Sequence, residues 1–172
     1  MTPTKTATKT AGPNKAKPAP QDAIALLKAD HEEVSQLFEQ YEKTRSNPRK
    51  KVLVAQICEA LSVHAQIEEE IFYPAVKTTL KDKLLVPEAT VEHTSLKDLI
   101  AQLVGVEPDG EMYEAKVKVL SEYVKHHVEE EQTEMFPKAK ASSIDMSALG
   151  ARMAARKDEL LARTVEVEGE TA

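Results

Sequence analysis

Two short stretches of the sequence carry the same residues in the same order, and these residues can bind a metal ion. The segment HAQIEEEIFYP (64–74) pairs His64 with Glu68, and HVEEEQTEMFP (127–137) pairs His127 with Glu131. Residues four positions apart lie on one face of an α-helix, so each pair directs an imidazole and a carboxylate to the same point. The repeat therefore predicts two related sets of metal ligands.

A further histidine precedes each motif at nearly the same distance. His31 lies on an apolar segment before the first motif, and His93 lies on one before the second. If each of these segments is a helix, four helices bring four imidazoles and two carboxylates together. The predicted metal ligands are His31, His64, Glu68, His93, His127 and Glu131.

The two glutamates are the stronger evidence for a metal. A lone histidine on an apolar stripe is more often a hydrogen-bonded core residue than a ligand. A carboxylate buried without a partner, however, costs several kcal/mol or is forced neutral. Neither lysine nor arginine occupies a central position on the apolar face of any predicted helix. A cation is therefore the simplest partner for Glu68 and Glu131.

Four other acidic residues of the two motifs fall on different helix faces and are predicted to be solvated, whereas Glu134 lies on the apolar face one turn beyond Glu131 and is assigned to neither group. His126 is rotated by about 100° from its neighbour His127 on a helix, so we expect it near the site or on the surface, without a ligand role. The residues predicted to be solvated are Glu69, Glu70, Glu129 and Glu130.

The spacing of apolar residues predicts an all-α fold, because no segment sustains the alternation typical of a strand. Asp22 is a suitable cap for a first helix. Pro74 is expected to kink or end the second helix, and Asp145 to cap a short fifth helix that covers one end of the bundle. The predicted fold is an up-down-up-down four-helix bundle with a short C-terminal fifth helix and a disordered N-terminal tail.

This fold divides the chain into four segments. Residues 1–21 are Thr, Lys, Ala and Pro without periodicity, and they cannot bury enough apolar area to order. Residues 22–140 are predicted to form the bundle and residues 141–163 the C-terminal helix. Residues 164–172 are polar and acidic and are expected to fray.

Composition narrows the classes of partner. A formal net charge of -6 argues against general nucleic-acid binding. The sequence has neither the apolar core of a signal peptide nor the ~18 apolar residues of a membrane span. The single cysteine, Cys58, excludes an intramolecular disulfide. We therefore expect a cytoplasmic protein without a membrane partner.

The order of these motifs, with Phe-Tyr-Pro and Met-Phe-Pro at their ends, resembles a hemerythrin-like (HHE cation-binding) domain over about residues 22–138. The resemblance implies a non-haem di-iron centre in which Glu68 and Glu131 bridge the two metals. Oxygen-carrying hemerythrins differ, because they place two histidines four residues apart on the third helix and use His-x-x-x-x-Asp on the fourth. Here Ala89 and Lys97 flank His93 at that spacing. The resemblance therefore favours iron binding over reversible oxygen carriage.

Two six-coordinate metals offer about twelve ligand positions, of which the six side chains fill about eight. We therefore expect two iron ions, with manganese possible, and open positions for a small diatomic ligand or peroxide. One hypothesis is a protein that binds or senses O2, NO or peroxide, or handles iron. The alternative is a di-iron enzyme that turns over peroxide, O2 or NO, although the sequence identifies no catalytic residue. A bundle with a purely structural role is the third possibility.

Overall fold

The computed structural model describes the backbone of residues 21–170 and the side chains of residues 21–163. Of the predicted N-terminal tail, only Gln21 belongs to the described residues. All regular secondary structure between residues 21 and 170 is helical, which confirms the predicted all-α class. No helix in this part of the chain is long and apolar enough to cross a membrane.

Four helical rods form the bundle and a fifth packs beside them. The second and fourth rods each contain a π-helical segment, Glu68–Phe72 and Glu131–Met135, between two α-helical parts. The α-helices are α1 (Ala23–Lys43), α2 (Asn47–Ile67), α3 (Tyr73–Lys77), α4 (Leu85–Ala101), α5 (Gly110–Glu130), α6 (Phe136–Lys140) and α7 (Met146–Glu170).

Short polar side chains mark where the helices begin. Asp22 Oδ1 accepts a hydrogen bond from Ala25 N at 2.8 Å and caps α1 as predicted, and Asp145 Oδ1 accepts one from Ala148 N at 2.9 Å. Between α4 and α5, Gly105 and Gly110 have φ angles of 73° and 81°. Only glycine adopts such angles without strain, so these two residues allow the chain to reverse direction there.

Each π-helical segment begins at a motif glutamate and ends just before a proline. Tyr73 N–H donates to Glu68 O, and Phe136 N–H donates to Glu131 O, each five residues back. A proline inside an α-helix lacks an N–H and clashes with the carbonyl four residues earlier. The wider π turn relieves that clash at Pro74 and Pro137. The second rod then ends at Lys77, one turn beyond Pro74 as predicted.

Two apolar clusters fill the interior, one on each side of the four motif histidines. On α1, for example, His31 lies between Leu27 of the first cluster and Val34 of the second. The order of the clusters reverses from each rod to the next, because neighbouring rods are antiparallel. The histidines therefore form a single polar layer in the middle of an aliphatic core.

The C-terminal helix is longer than predicted. A short helix within 141–163 and frayed residues 164–172 were expected, whereas α7 is 25 residues long and its backbone stays helical to Glu170. Its many Ala, Arg, Glu and Leu residues favour a long helix. It also packs along α1 and α2, where Leu149, Met153 and Leu160 are buried, so it covers a side of the bundle as well as an end.

Gly150 allows α7 to approach the start of α1. A Cβ atom at this position would lie 2.4 Å from Gln21 O and 2.7 Å from Ala23 N, which are backbone atoms. We expect Gly150→Ala to lower the free energy of unfolding by roughly 1–3 kcal/mol, as overpacking does, measured by denaturant titration. Ser147→Ala, on the exposed side of the same helix, is the control and should change it by less than about 0.5 kcal/mol. A more stable Gly150→Ala protein would contradict this close packing.

Candidate metal centre

The four motif histidines form two pairs in the interior. His31 Nε2 lies 3.1 Å from His64 Nε2, and His93 Nε2 lies 3.1 Å from His127 Nε2. The first pair joins α1 to α2, and the second joins α4 to α5. All four side chains are buried, so the predicted convergence of four imidazoles is present in the fold.

The two glutamates connect one histidine pair to the other. Glu68 Oε2 lies 3.3 Å from both His64 Nε2 and His93 Nε2. Glu131 Oε2 lies 3.3 Å from His31 Nε2 and 3.7 Å from His127 Nε2. Each carboxylate therefore contacts the histidine of its own motif and one histidine of the other pair. The sequence repeat thus corresponds to an approximate two-fold arrangement of the six side chains.

The outward-facing nitrogens of three histidines contact carboxylates. A carboxylate accepts hydrogen bonds only, so each of these contacts places a proton on Nδ1 and leaves the Nε2 lone pair of a neutral imidazole facing the centre. The contacts are His64 Nδ1 with Asp30 Oδ2 (3.3 Å), His93 Nδ1 with Glu69 Oε1 (2.9 Å) and His127 Nδ1 with Glu92 Oε2 (2.6 Å).

The fourth histidine has an amide partner. His31 Nδ1 lies 3.1 Å from the side-chain amide of Gln132. These partners follow the repeat: Asp30 and Glu92 each precede a lone histidine, and Glu69 and Gln132 each follow a motif glutamate. The two-fold arrangement therefore extends beyond the six predicted ligands.

Lysines compensate two of the outer carboxylates. Lys157 Nζ of α7 lies 2.5 Å from Asp30 Oδ1, and Lys97 Nζ lies 2.6 Å and 2.7 Å from the two oxygens of Glu69. Burial raises the pKa of Asp30, but the hydrogen bonds from His64 and Lys157 outweigh burial and hold that pKa below its usual range. Asp30 is therefore ionised, and α7 contributes directly to the support of the centre.

The central carboxylates are buried with incomplete hydrogen bonding. Glu68 is 0% exposed and Glu131 is 2% exposed. Glu68 Oε1 and Glu131 Oε2 have no hydrogen-bond partner among the described residues. Burial and the nearby charge of Glu131 raise the pKa of Glu68 well above its usual range. Burial acts on Glu131 in the same direction, but the contact with His31 and the neighbouring histidines outweigh it and hold the pKa of Glu131 below its usual range. A cation in the centre would allow both carboxylates to be ionised together.

The histidine pair on α4 and α5 leads to the same conclusion. In the pair His93 and His127, both Nδ1 atoms face carboxylates, so two Nε2 lone pairs oppose each other across 3.1 Å. Burial and the neighbouring His127 lower the pKa of His93 to about 4. Burial also opposes a charge on His127, but Glu92 and Glu131 outweigh it and raise the pKa of His127, so a proton on His127 can satisfy this one contact while the glutamate oxygens stay unpaired. A metal ion satisfies the opposed lone pairs and the unpaired carboxylate oxygens together. The residues present therefore fit a metal.

Tyr73 adds a hydroxyl group to the centre. Its oxygen donates to Glu131 Oε1 at 2.8 Å and lies 3.4 Å from Glu68 Oε2 and 3.2 Å from His93 Nε2. The spacing of the sequence allows this contact without requiring it. Burial and the charges of both glutamates raise the pKa of Tyr73 well above its usual range. The phenol therefore keeps its proton.

A small cavity adjoins the histidines on the side of the second apolar cluster. Its volume is about 20 Å³, which is room for about one water-sized molecule. Apart from the four histidines and the polar residues Asp30 and Lys97, its lining is aliphatic. The aliphatic residues with longer side chains are Val34, Leu61, Leu96, Ile100, Val124 and Val128.

The prediction that Glu69 is solvated is wrong. Its side chain is 30% exposed and contacts both His93 and Lys97. Lys97, one turn after His93, is the signal in the sequence that marks this position for an acidic partner. The other three glutamates that were predicted to be solvated, Glu70, Glu129 and Glu130, lie outside the centre. Glu70 pairs with Arg156 at 2.7 Å. His126 is on the surface, with 65% of its side chain exposed.

Comparison with known proteins identifies a family profile and several relatives. The profile described as Hemerythrin HHE cation binding domain matches residues 22–139. A crystal structure of a hemerythrin HHE cation binding domain-containing protein from Mycobacterium kansasii superposes with a TM-score of 0.72, at 23% identity, over 85% of this chain and 91% of that one. At that identity the superposition shows a shared fold.

Two relatives by sequence differ in how much of their length is matched. An uncharacterised protein of Mycobacterium tuberculosis is 25% identical over 143 residues, which are 81% of this chain and 87% of that protein. A protein named DNA nickase from Nostoc sp. is 28% identical over 111 residues, 64% of this chain. The match spans only 31% of the nickase.

The bridging position of the two glutamates can be tested by substitution. Glu68→Gln and Glu131→Gln keep size and polarity but remove the negative charge that holds two cations together, so we expect both proteins to lose most of their metal, measured by elemental analysis. Glu129→Gln removes the same charge from the exposed face of α5 and should retain full metal content. A Glu68→Gln protein with normal metal content would contradict the bridging arrangement.

Proposed function

Because this chain belongs to the hemerythrin HHE cation-binding domain family, we propose that its buried centre holds two iron ions and binds or senses a small ligand such as O2, NO or peroxide, or handles iron. The observation that carries the proposal is the position of the two carboxylates. Each contacts one imidazole of each histidine pair. One pair and the two shared carboxylates would hold each ion.

The ligand set favours iron over zinc. A structural zinc site is closed by four protein ligands, usually cysteine and histidine. Here each ion would have two imidazoles and a share in two carboxylates, a set that suits six-coordinate iron and also manganese. When bound, such a pair of ions supplies electrons and open coordination positions to a small molecule. The protein supplies the geometry, through the histidines whose Nδ1 atoms are fixed by Asp30, Glu69 and Glu92.

The size of the adjoining cavity supports a small ligand. A space of about 20 Å³ with a largely aliphatic lining has the size of a diatomic molecule and is too small for an organic substrate in this conformation. The aliphatic side chains also keep bulk water from the histidines. The proposal includes a cytoplasmic location, supported by the single, buried Cys58.

One observation favours the enzyme alternative, in which the centre turns over peroxide, O2 or NO. Reduction of these molecules increases the negative charge on the bound molecule, which a hydrogen-bond donor stabilises, and the Tyr73 hydroxyl lies within hydrogen-bond distance of Glu131, Glu68 and His93. It is a hydrogen-bond donor held inside the centre. The proposal of a binding or sensing protein does not need this donor.

Elemental analysis and exposure to gases test both versions. After iron-replete expression we expect close to two metal ions per chain, chiefly iron; one ion or none would contradict the di-iron centre. The iron-loaded protein is then reduced without oxygen and exposed separately to O2, NO and peroxide. A stable spectral adduct supports binding or sensing. Continuous consumption of the added molecule supports the enzyme.

Filling the cavity should block the ligand without removing the metal. Val34 lines the cavity, and Val34→Leu adds one methylene group to it. We expect metal content to be unchanged and NO affinity of the reduced protein to fall by roughly tenfold or more, since overpacking costs about 1–3 kcal/mol. Val63→Leu, the same change at another buried valine, in the first apolar cluster and outside the cavity lining, is the control. Equal NO affinity of the two variants would show that this cavity is not the ligand site.

A further inference from the structure

A second group of metal-binding side chains lies on the surface beside the buried centre. Glu92 of α4 and His126 and Glu130 of α5 bring an imidazole nitrogen and two carboxylate oxygens within 4.8 Å of one another. The group is not part of the repeat, because the first motif has Val63 and Ile67 at the positions of His126 and Glu130. It therefore needs an explanation separate from the di-metal arrangement.

The distances within this group are longer than hydrogen bonds and close to the separation of two ligands on one ion. His126 Nε2 lies 3.5 Å from Glu92 Oε1 and 3.6 Å from Glu130 Oε1. Hydrogen bonds from nitrogen to oxygen are about 2.7–3.2 Å long. Two ligands bound to one ion at about 2.0–2.1 Å lie roughly 3.0–3.4 Å apart. A small inward movement of each side chain would complete the contacts with an ion between them.

Charge points in the same direction. Two carboxylates face one imidazole in this group, and a divalent cation would balance the charge of both carboxylates. One nitrogen and two oxygen ligands suit Fe²⁺, Mn²⁺ or Zn²⁺ better than Ca²⁺, which prefers oxygen ligands only. The side chains of His126 and Glu130 are 65% and 46% exposed. Water would fill the remaining coordination positions of such an ion. The ion itself would therefore exchange readily with the solvent.

Glu92 connects this group to the buried centre. Its Oε1 faces His126, and its Oε2 accepts a hydrogen bond from His127 Nδ1 at 2.6 Å. A surface groove of about 230 Å³ lies beside Glu92 and His126 and is lined in part by Leu96. Leu96 also lines the cavity next to the four histidines. This side chain therefore borders both the groove and the cavity.

We propose that Glu92, His126 and Glu130 form a third cation site, which binds a divalent transition-metal ion at the surface and supplies it to the buried centre. Binding at this site is independent of the proposed function. The supply role rests on the proposed function, because it requires a buried centre that takes up iron. The two parts therefore have separate tests.

Manganese binding tests the site itself. Iron-loaded protein, freed of excess metal, is titrated with Mn²⁺, and free Mn²⁺ is measured by electron paramagnetic resonance. Wild-type protein should bind one additional Mn²⁺ ion, and His126→Ala and Glu130→Gln should weaken that binding by at least about tenfold. Glu129→Gln, with the same change of charge one residue away, should bind as wild type does. Equal binding by wild type and His126→Ala would overturn the site.

The same titration can be made without the buried centre. A Glu68→Gln, Glu131→Gln double variant, with its helical content checked by circular dichroism, should still bind one Mn²⁺ ion. The His126→Ala substitution in that background should abolish the binding. If His126→Ala changes only the melting temperature and leaves Mn²⁺ binding intact, the group is a surface ion pair and the proposal is overturned.

The rate of iron uptake tests the supply role. Apoprotein is mixed with Fe²⁺ without oxygen, and uptake is followed by stopped-flow absorbance. His126→Ala should take up iron several-fold more slowly than wild type or Glu129→Gln and should reach the same final iron content. An unchanged rate would overturn the supply role. If wild-type protein takes up no iron, the proposed function and the supply role both fail, while the Mn²⁺ titration still decides whether the surface site exists.

Discussion

The structure depends on the burial of two carboxylates between two pairs of imidazoles. Glu68 and Glu131 lie in the middle of an aliphatic core, in contact with histidines whose lone pairs point inward. Such an arrangement is unfavourable by itself, because one oxygen of each carboxylate is buried without a hydrogen-bond partner among the residues that the structure describes. It becomes favourable when cations occupy the space between the ligands. The apolar clusters above and below this layer supply the stability that lets the chain maintain it.

The π-helical segments are part of the same arrangement. Each begins at a central glutamate, and the residue after it contacts a histidine of the other half: Glu69 contacts His93, and Gln132 contacts His31. In each half, the glutamate therefore lies inside the centre, and the residue after it contacts the outward-facing nitrogen of a histidine. Pro74 and Pro137 each follow six residues after the glutamate. Neither proline ends its rod at once, because the wider π-helical turn accommodates it. π-Helical turns are frequent at functional sites, and here both coincide with one.

The sequence predicted the six central side chains and the bundle because both depend on spacing along single helices. Positions four apart share a face whatever the neighbouring helices do, so His64 and Glu68 could be placed without a structure. The partners of the outward nitrogens depend on how one helix is rotated against another. For that reason the role of Glu69 was missed, and those of Asp30 and Glu92 were not foreseen. The same limit applies to α7, since nothing local to Lys157 indicates that it contacts Asp30 on α1.

The approximate symmetry of the ligands does not extend to the charge around them. Tyr73 and Phe136 occupy equivalent positions before the two prolines, yet Tyr73 directs a hydroxyl at Glu131 while Phe136 stacks on His31 with ring centroids 5.8 Å apart. Likewise Glu69 and Gln132 are equivalent in sequence, but only one of them is acidic. The pair His93 and His127 therefore has two carboxylate partners, of which Lys97 neutralises Glu69 and leaves Glu92 without a lysine in the described part of the chain. The pair His31 and His64 has one carboxylate, Asp30, neutralised by Lys157. The two halves of the centre are therefore electrostatically different, and the field is more negative around His93 and His127. Because negative charge near a cation strengthens its binding, this half should hold a cation more tightly. It is also the half that faces the surface group through Glu92.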